Sequence, residues 1–146
     1  MQSPSNEADR FNLQRFVAAQ APVLAQVLAE LRAGRKASHW MWFVFPQLAA
    51  LGRSSTAKFY GLRGIGEAQA YAAHPVLGPR LRECCTILLS LQGPSAHDIF
   101  GGIDELKLKS CLTLFERAWP QEPVFGECLQ RYFGGERDAL TVSLLA

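Results

Sequence analysis

The sequence lacks the features that place a chain in a membrane or in an oxidising compartment. No uninterrupted apolar run approaches the roughly 18 residues that a bilayer-spanning helix needs. The first residues, Met1 to Glu7, lack the basic start and apolar core of a signal peptide. The 4 cysteines form no Cys-x-x-Cys pair, so the ligand spacings of a zinc site are absent. We therefore predict a cytoplasmic protein with reduced, buried thiols, no metal and no cofactor.

An excess of charge of one sign is also missing. The chain has 15 Lys and Arg against 13 Asp and Glu residues, a net charge of +2, and a pI of about 8.4. Nucleic-acid-binding domains usually show a basic face or a pI above about 9, so nucleic acid is not an expected partner. GxxxxGK[ST] and GxGxxG are both absent. Nucleoside-triphosphate hydrolysis and Rossmann-type dinucleotide binding therefore have no motif support.

The chain has instead the composition of a globular protein and apolar spacing typical of helices. Hydrophobic residues make up 49% and charged residues 19% of its 146 residues, which suits one domain with a sizeable core. Apolar residues recur at intervals of three and four, most clearly at Leu77, Leu81 and Cys84. We predict an all-α protein, with a disordered leader over residues 1–8 and a single compact domain of about six or seven helices over residues 9–146.

One short stretch, residues 40–45, is rich in aromatic side chains and has the sequence WMWFVF. Such side chains bury roughly 150–250 Å² each, so we expect the rest of the chain to pack around them. The stretch is apolar on both alternate faces, a pattern typical either of a fully buried strand or of a helix buried on all sides. Ser38 as an N-cap and Pro46 as a stop favour a short buried helix.

Capping residues and glycines predict the boundaries of other helices. Asp9 is expected to cap a helix that runs to about Gln20. Gly101 and Gly102 are expected to break the helical pattern, and Asp104 is expected to cap a long helix that follows them.

Three strings of the sequence together resemble one family of bacterial proteins. They are SHWMWFVFPQL, GLRGIGEAQAYAAHPVLGPRL and IFGGIDELKLKSCLTLF, and they closely resemble the family called Domain of Unknown Function 1810. The resemblance covers residues 9–145. It implies a small, mainly helical fold with no established activity. Members are sometimes labelled calpastatin-like, a label that no feature of these residues supports.

A fainter resemblance concerns the class of ligand. The chain has Glu-Ala at position 67, His-Pro-x-Leu at 74 and Phe-Gly-x-x-Asp at 100. This order is similar to that of the NADAR proteins, which act on ADP-ribosyl groups, although their opening aromatic-Gly segment has no counterpart here. The resemblance implies glycosidic hydrolysis near a phosphorylated ribose.

Two residues are candidates for catalysis. His39 is an acid or base if a carboxylate orients it, and Asp104 is the acid that we assign to the same site. The alternative for His39 is a half-buried histidine that closes a helix N-terminus by hydrogen bonds. The glycines before Asp104 can present backbone N–H groups to an anion, and Lys107 adds charge there. The alternative is an ordinary loop and N-cap, since Asp104 would repel an anion.

The predicted ligand pocket combines aromatic walls with a polar rim, the usual make-up of small-molecule sites. Arg53 and Ser54 offer a guanidinium and a hydroxyl to an oxyanion, or else belong to a polar surface loop. The predicted ligand-binding residues are Trp40, Trp42, Gln47, Arg53, Ser54, Tyr60 and Lys107. We predict a protein that binds or hydrolyses a small phosphorylated ligand such as an ADP-ribose-type compound. The alternative is a non-catalytic protein-interaction domain that exposes part of its aromatic cluster.

Overall fold

The structure is a computed structural model that describes residues 9–146, and these residues form nine α-helices. The helices are α1 Gln14–Gln20, α2 Leu24–Arg32, α3 Met41–Val44, α4 Ser55–Phe59, α5 Ile65–Ala73, α6 Leu77–Ser90, α7 Ala96–Ala118, α8 Val124–Phe133 and α9 Ala139–Leu145. The prediction of an all-α fold is confirmed. The described residues contain nine helices, whereas six or seven were predicted. The predicted leader lies outside the described residues.

Helices α5 to α8 form the centre of the fold. Helix α7 packs against α5 and α8, and α6 packs against α2, α5 and α8. The predicted apolar stripe of α6 faces this core, with Leu77, Leu81 and Cys84 at most 1% exposed. All 4 cysteines are buried and free, and burial raises the pKa of the Cys84 thiol to about 12. Within residues 9–146, no helix is both long enough and apolar enough to span a membrane.

The aromatic stretch forms the single-turn helix α3, which packs against α1. Trp40 and Phe45 are each 1% exposed, whereas Trp42 is half-buried. The predicted short buried helix is therefore present. The predicted N-cap role of Ser38 is wrong, because Trp40 occupies the cap position, with no side-chain bond to the helix N-terminus, and the Ser38 hydroxyl donates to Glu30 instead.

Glu30 on α2 holds the segment that leads into α3. Its carboxylate accepts the backbone N–H of Ala37 at 2.7 Å, the Ser38 hydroxyl at 2.6 Å and the indole N–H of Trp40 at 2.9 Å. We call these four residues the Glu30 clasp. Burial raises the pKa of Glu30, but the hydrogen bonds outweigh that effect and lower the pKa to about 2. The carboxylate is therefore charged at neutral pH and fixes the position of the Trp40 side chain.

Gly101 divides α7 into two helical segments. Its φ of 81° lies in the left-handed region that glycine adopts without strain. The backbone N–H of Lys36 donates to the carbonyl of Ile99 at 2.8 Å, and the Lys36 ammonium lies 2.9 Å from the Asp104 carboxylate. The predicted break is present. The predicted N-cap role of Asp104 is wrong, because Asp104 lies within α7 and pairs with Lys36.

The first helix begins later than predicted. Asp9 accepts the backbone N–H groups of Leu13 and Gln14, as a capping residue does. Asn12, however, has a φ of 54°, which a right-handed helix excludes. The helix therefore starts only at Gln14.

A short backbone pairing fixes the segment between α3 and α4. The N–H of Ala49 donates to the carbonyl of Leu62 at 2.7 Å, and the N–H of Leu62 donates to the carbonyl of Gln47 at 2.9 Å. Gly61 lies so close to Ala49 that a Cβ at position 61 would stand 2.3 Å from the Ala49 Cα. This close approach requires glycine and holds Gln47 in place beside α4.

Candidate functional site

A cleft of about 510 Å³ lies between the region of α4 and the outer face of α7, with the start of α9 closing one end. This volume falls in the range of small-molecule sites. We call this space the cleft. The apolar lining residues are Leu51, Ala57, Ile103, Leu106 and Leu140. The polar lining residues are Gln47, Arg53, Ser54, Lys107, Ser110 and Asp138.

The apolar walls of the cleft remain open to solvent. Ile103 is 75% exposed, Leu106 is 63% exposed and Leu140 is 57% exposed. Helix α7 therefore has two apolar faces, because Leu108 and Cys111 are fully buried in the core while Ile103 and Leu106 border the cleft. The second face is available to an apolar part of a ligand or to a partner.

Two cationic side chains border the cleft. Arg53 is exposed, and its guanidinium has no hydrogen bond or ion pair with any other part of residues 9–146. The Lys107 ammonium lies 3.9 Å from an Asp104 carboxylate oxygen and 5.5 Å from the centre of the Trp42 ring. Both cations can turn toward an anion, since neither is held by a short hydrogen bond within the described chain.

The hydroxyl of Ser54 adds a donor beside Arg53. Its oxygen accepts the backbone N–H of Ala57 at 3.0 Å and so caps α4. Within residues 9–146 the hydroxyl hydrogen has no acceptor, so it is available to a ligand. Ser110, by contrast, already donates to the carbonyl of Leu106 at 3.1 Å.

The carboxylate on the cleft is engaged in holding α9. Asp138 accepts the backbone N–H of Thr141 at 2.9 Å and the Thr141 hydroxyl at 2.6 Å. The charged residues of the lining are two cations, Arg53 and Lys107, and one carboxylate, Asp138. The lining contains neither histidine nor cysteine. The arrangement can accept an anion that carries an apolar part.

A smaller cavity adjoins the cleft on the side of α3. Its lining residues are Met41, Trp42, Phe45, Gln47, Ala57, Tyr60 and Lys107. We call it the aromatic cavity. It shares Gln47, Ala57 and Lys107 with the cleft, so Lys107 borders both spaces. The Tyr60 ring packs against the Phe43 ring, with 5.3 Å between centroids.

The structure brings together six of the predicted ligand-binding residues around these two spaces. Gln47, Arg53, Ser54 and Lys107 line the cleft. Trp42 and Tyr60 line the aromatic cavity beside it. Their roles in binding stay predictions.

The other three predicted residues lie elsewhere. Trp40 is in the core, bonded to Glu30, and lines neither space. His39 is exposed and lines neither space. Asp104 also lies outside both linings, with its carboxylate against Lys36. The catalytic roles of His39 and Asp104 therefore stay predictions. Neither side chain lines the cleft, although the Asp104 carboxylate lies 3.9 Å from the Lys107 ammonium at its border.

Several lining residues were not foreseen from the sequence. Ile103 and Leu106 lie off the apolar stripe that α7 turns to the core, and such surplus apolar residues were the available signal. Asp138 and Leu140 join the cleft only because α9 packs against α7. No local pattern in the sequence indicates that packing.

Fold and cleft define a small all-helical protein with a ligand-sized cleft and two cations at its border. In residues 9–146, no group of three or more His, Cys, Asp or Glu is placed to hold a metal ion. The chain belongs to the family described as "Protein of unknown function (DUF1810)", which matches residues 10–145. The predicted family resemblance is thus confirmed.

A solved structure supports the same assignment. The chain is 54% identical to the conserved hypothetical protein Rv1873 from Mycobacterium tuberculosis. The crystal structure of that protein matches with a TM-score of 0.92, over 94% of this chain and 98% of the other. Among curated proteins, none matches this chain.

Proposed function

We propose that the protein binds a small phosphorylated ligand in the cleft. The supporting observation is that Arg53, Lys107 and the free hydroxyl hydrogen of Ser54 meet at a space of about 510 Å³ with otherwise largely apolar walls. Arginine and lysine form charge-assisted hydrogen bonds to phosphate oxygens. Leu51 and Leu106 offer surface to the less polar part of the ligand.

The proposal concerns binding, not hydrolysis. Hydrolysis needs a positioned base or nucleophile, and the acidic residue on the cleft, Asp138, caps α9. An ADP-ribose-type compound, which the fainter resemblance implies, belongs to the proposed ligand class. A cytoplasmic location is part of the proposal and is supported by the 4 buried free thiols.

A thermal-shift and calorimetry series with inorganic phosphate, ribose 5-phosphate and ADP-ribose tests the proposal. A ligand at 100 times its Kd adds about 2.7 kcal/mol to the free energy of unfolding, which such an assay detects. Arg53→Ala is expected to raise the Kd about tenfold, because one charge-assisted bidentate contact is lost.

Arg117→Ala is the matched control, since Arg117 is an exposed cation of α7 outside the cleft lining. The control is expected to keep the Kd of the unaltered protein. If none of the three phosphorylated probes shifts the melting temperature, the proposal is wrong.

One observation favours a second candidate, a protein-interaction domain. Ile103, Leu106 and Leu140 leave a cluster of large apolar side chains in solvent. If this surface pairs with a second copy of the chain, sedimentation shows association that grows with concentration. Leu106→Glu would then abolish the association, while Arg53→Ala would leave it intact.

A further inference from the structure

Lys107 is one of three residues, with Gln47 and Ala57, that border both the aromatic cavity and the cleft. The Lys107 ammonium lies 5.5 Å from the Trp42 ring centre. In this position the aromatic cavity holds about 10 Å³, at the limit for a single water molecule. A ligand that stacks on the face of Trp42 under Lys107 requires the ammonium to leave that ring.

The contacts that hold Lys107 in place are weak. A half-buried cation over an aromatic ring gains little compared with a desolvated one. Its other partner, Asp104, is 3.9 Å away and already pairs with Lys36 at 2.9 Å. A phosphate in the cleft offers a stronger, charge-assisted partner to the same ammonium. Binding of the phosphate therefore favours a movement of Lys107 that uncovers Trp42.

The polar groups of the residues around the aromatic cavity are open to solvent. Neither the Trp42 indole N–H, the Tyr60 hydroxyl nor the Gln47 amide makes a side-chain hydrogen bond within residues 9–146. Of the 3 tyrosines, Tyr71 is bonded to Gln20 and Tyr132 to a backbone carbonyl, so Tyr60 differs from both. Aromatic faces with donors and acceptors at their edges match a heteroaromatic ring that has its own donors and acceptors.

These observations lead to one ligand class. We infer that the ligand is a nucleotide, with its phosphate at Arg53 and Ser54 in the cleft and its base stacked on Trp42 in the aromatic cavity after Lys107 moves to the phosphate. This inference rests on the proposed function and adds the base to it. Stacking of a base on an aromatic side chain tolerates different bases, so the inference specifies a nucleotide and not a particular base.

Tryptophan fluorescence with AMP, adenosine and ribose 5-phosphate tests the inference. AMP is expected to quench part of the emission and to bind at least about fivefold more tightly than ribose 5-phosphate, because base stacking adds to phosphate binding. Trp42→Leu is expected to remove both the quenching and the advantage of AMP. Trp119→Phe is the control, since Trp119 packs against Phe125 and lines neither space. If Trp42→Leu does not fold, Trp42→Tyr keeps a stacking ring without the tryptophan emission and must lose the quenching alone.

Lys107→Met separates this role of Lys107 from simple structural support. The variant loses the charge and the contact over Trp42 together. We expect Lys107→Met to bind ribose 5-phosphate more weakly than the unaltered protein does, because the charge is lost. We expect it to bind adenosine more tightly, because the aromatic cavity is no longer covered by a cation. A general loss of structure would weaken both ligands.

The outcomes distinguish the inference from the proposal on which it rests. If AMP and ribose 5-phosphate bind equally and Trp42→Leu changes neither, the inference is overturned and the proposed phosphate site stands. If Lys107→Met weakens adenosine as well as ribose 5-phosphate, the gating role of Lys107 is overturned. If no phosphorylated probe binds, both the proposed function and the inference are wrong.

Discussion

Two tryptophans that stand two residues apart have opposite environments. Trp40 is 1% exposed, and Glu30 accepts its indole N–H at 2.9 Å. Trp42 is half-buried and lines the aromatic cavity, and the Lys107 ammonium lies over its ring. Residue type and local sequence are nearly the same, so the partners that the fold supplies determine which tryptophan stabilises the protein and which is available to a ligand.

The same contrast separates the Glu30 clasp from the cleft. In the clasp, one buried carboxylate accepts hydrogen bonds from backbone, hydroxyl and indole donors, and each of these groups is paired. At the cleft, Arg53 and the Ser54 hydroxyl hydrogen have no partner in the described part of the chain. Paired buried groups stabilise the fold, whereas unpaired groups in a concave site are free to bind.

The largest expected effect is the difference in stability between Trp40→Ala and Trp42→Ala. Removing the buried Trp40 side chain leaves a cavity and takes one hydrogen bond from the Glu30 carboxylate, and we expect a loss of about 4 kcal/mol in the free energy of unfolding. Removing the half-buried Trp42 is expected to cost about 1 kcal/mol. Denaturant titration of both variants measures the difference, and equal losses would contradict the comparison.

Glu30→Gln is expected to have the next largest effect. The amide keeps the size of the side chain but loses the charge that strengthens the bonds from Ala37, Ser38 and Trp40. We expect a loss of about 2 kcal/mol at pH 7, the range for hydrogen bonds to charged groups. Glu127→Gln is the control, since Glu127 is exposed and lies outside the clasp.

The effect of Glu30→Gln depends on pH with a defined sign. The folded-state pKa of Glu30 is about 2, below its ordinary value of 4.5. A depressed carboxyl pKa contributes stability that is complete above the unfolded pKa and is lost as the pH falls through the folded pKa. The difference in the free energy of unfolding between the unaltered protein and Glu30→Gln should therefore shrink as the pH falls from 4.5 to 2. A difference that stays constant over this window would contradict the assigned role of the charge.

Much of the fold is predictable from the sequence, because helical stripes and breakers act locally. The stripe through Leu77, Leu81 and Cys84 faces the core, and Gly101 breaks α7 as its sequence context predicts. Glu30 gives no such signal. A lone glutamate in an amphipathic helix is most often on the solvated face, and its main partners lie in an irregular segment whose path no local pattern encodes.

The cleft was predictable only in part. The candidate oxyanion binders Arg53, Ser54 and Lys107 have recognisable chemistry, and the structure places them around one space. Lys107 is far from Arg53 and Ser54 along the chain, and the three meet because the region of α4 and the outer face of α7 border the same cleft, which spacing alone does not reveal. Ile103 and Leu106 form the opposite wall because α7 has more apolar residues than its core face accommodates. The sequence indicates this surplus of apolar residues but not the cleft that they border.

The smallest expected effect concerns His39, which stands between two residues of the Glu30 clasp. Ser38 bonds to Glu30 and Trp40 is buried, yet His39 between them is exposed and lines neither the cleft nor the aromatic cavity. His39→Ala is therefore expected to change the free energy of unfolding by less than about 0.5 kcal/mol. Ser38→Ala is expected to cost about 1.5 kcal/mol, because it removes one bond to a charged acceptor.

The same pair of variants tests the predicted catalytic role of His39. Titration with ribose 5-phosphate should give the same Kd for His39→Ala as for the unaltered protein, because the imidazole does not border the cleft. A clear increase in Kd for His39→Ala but not for Ser38→Ala would place the imidazole in contact with the ligand. In that case the clasp also positions a functional histidine. The boundary between the stabilising region and the binding region would then lie between Trp40 and His39.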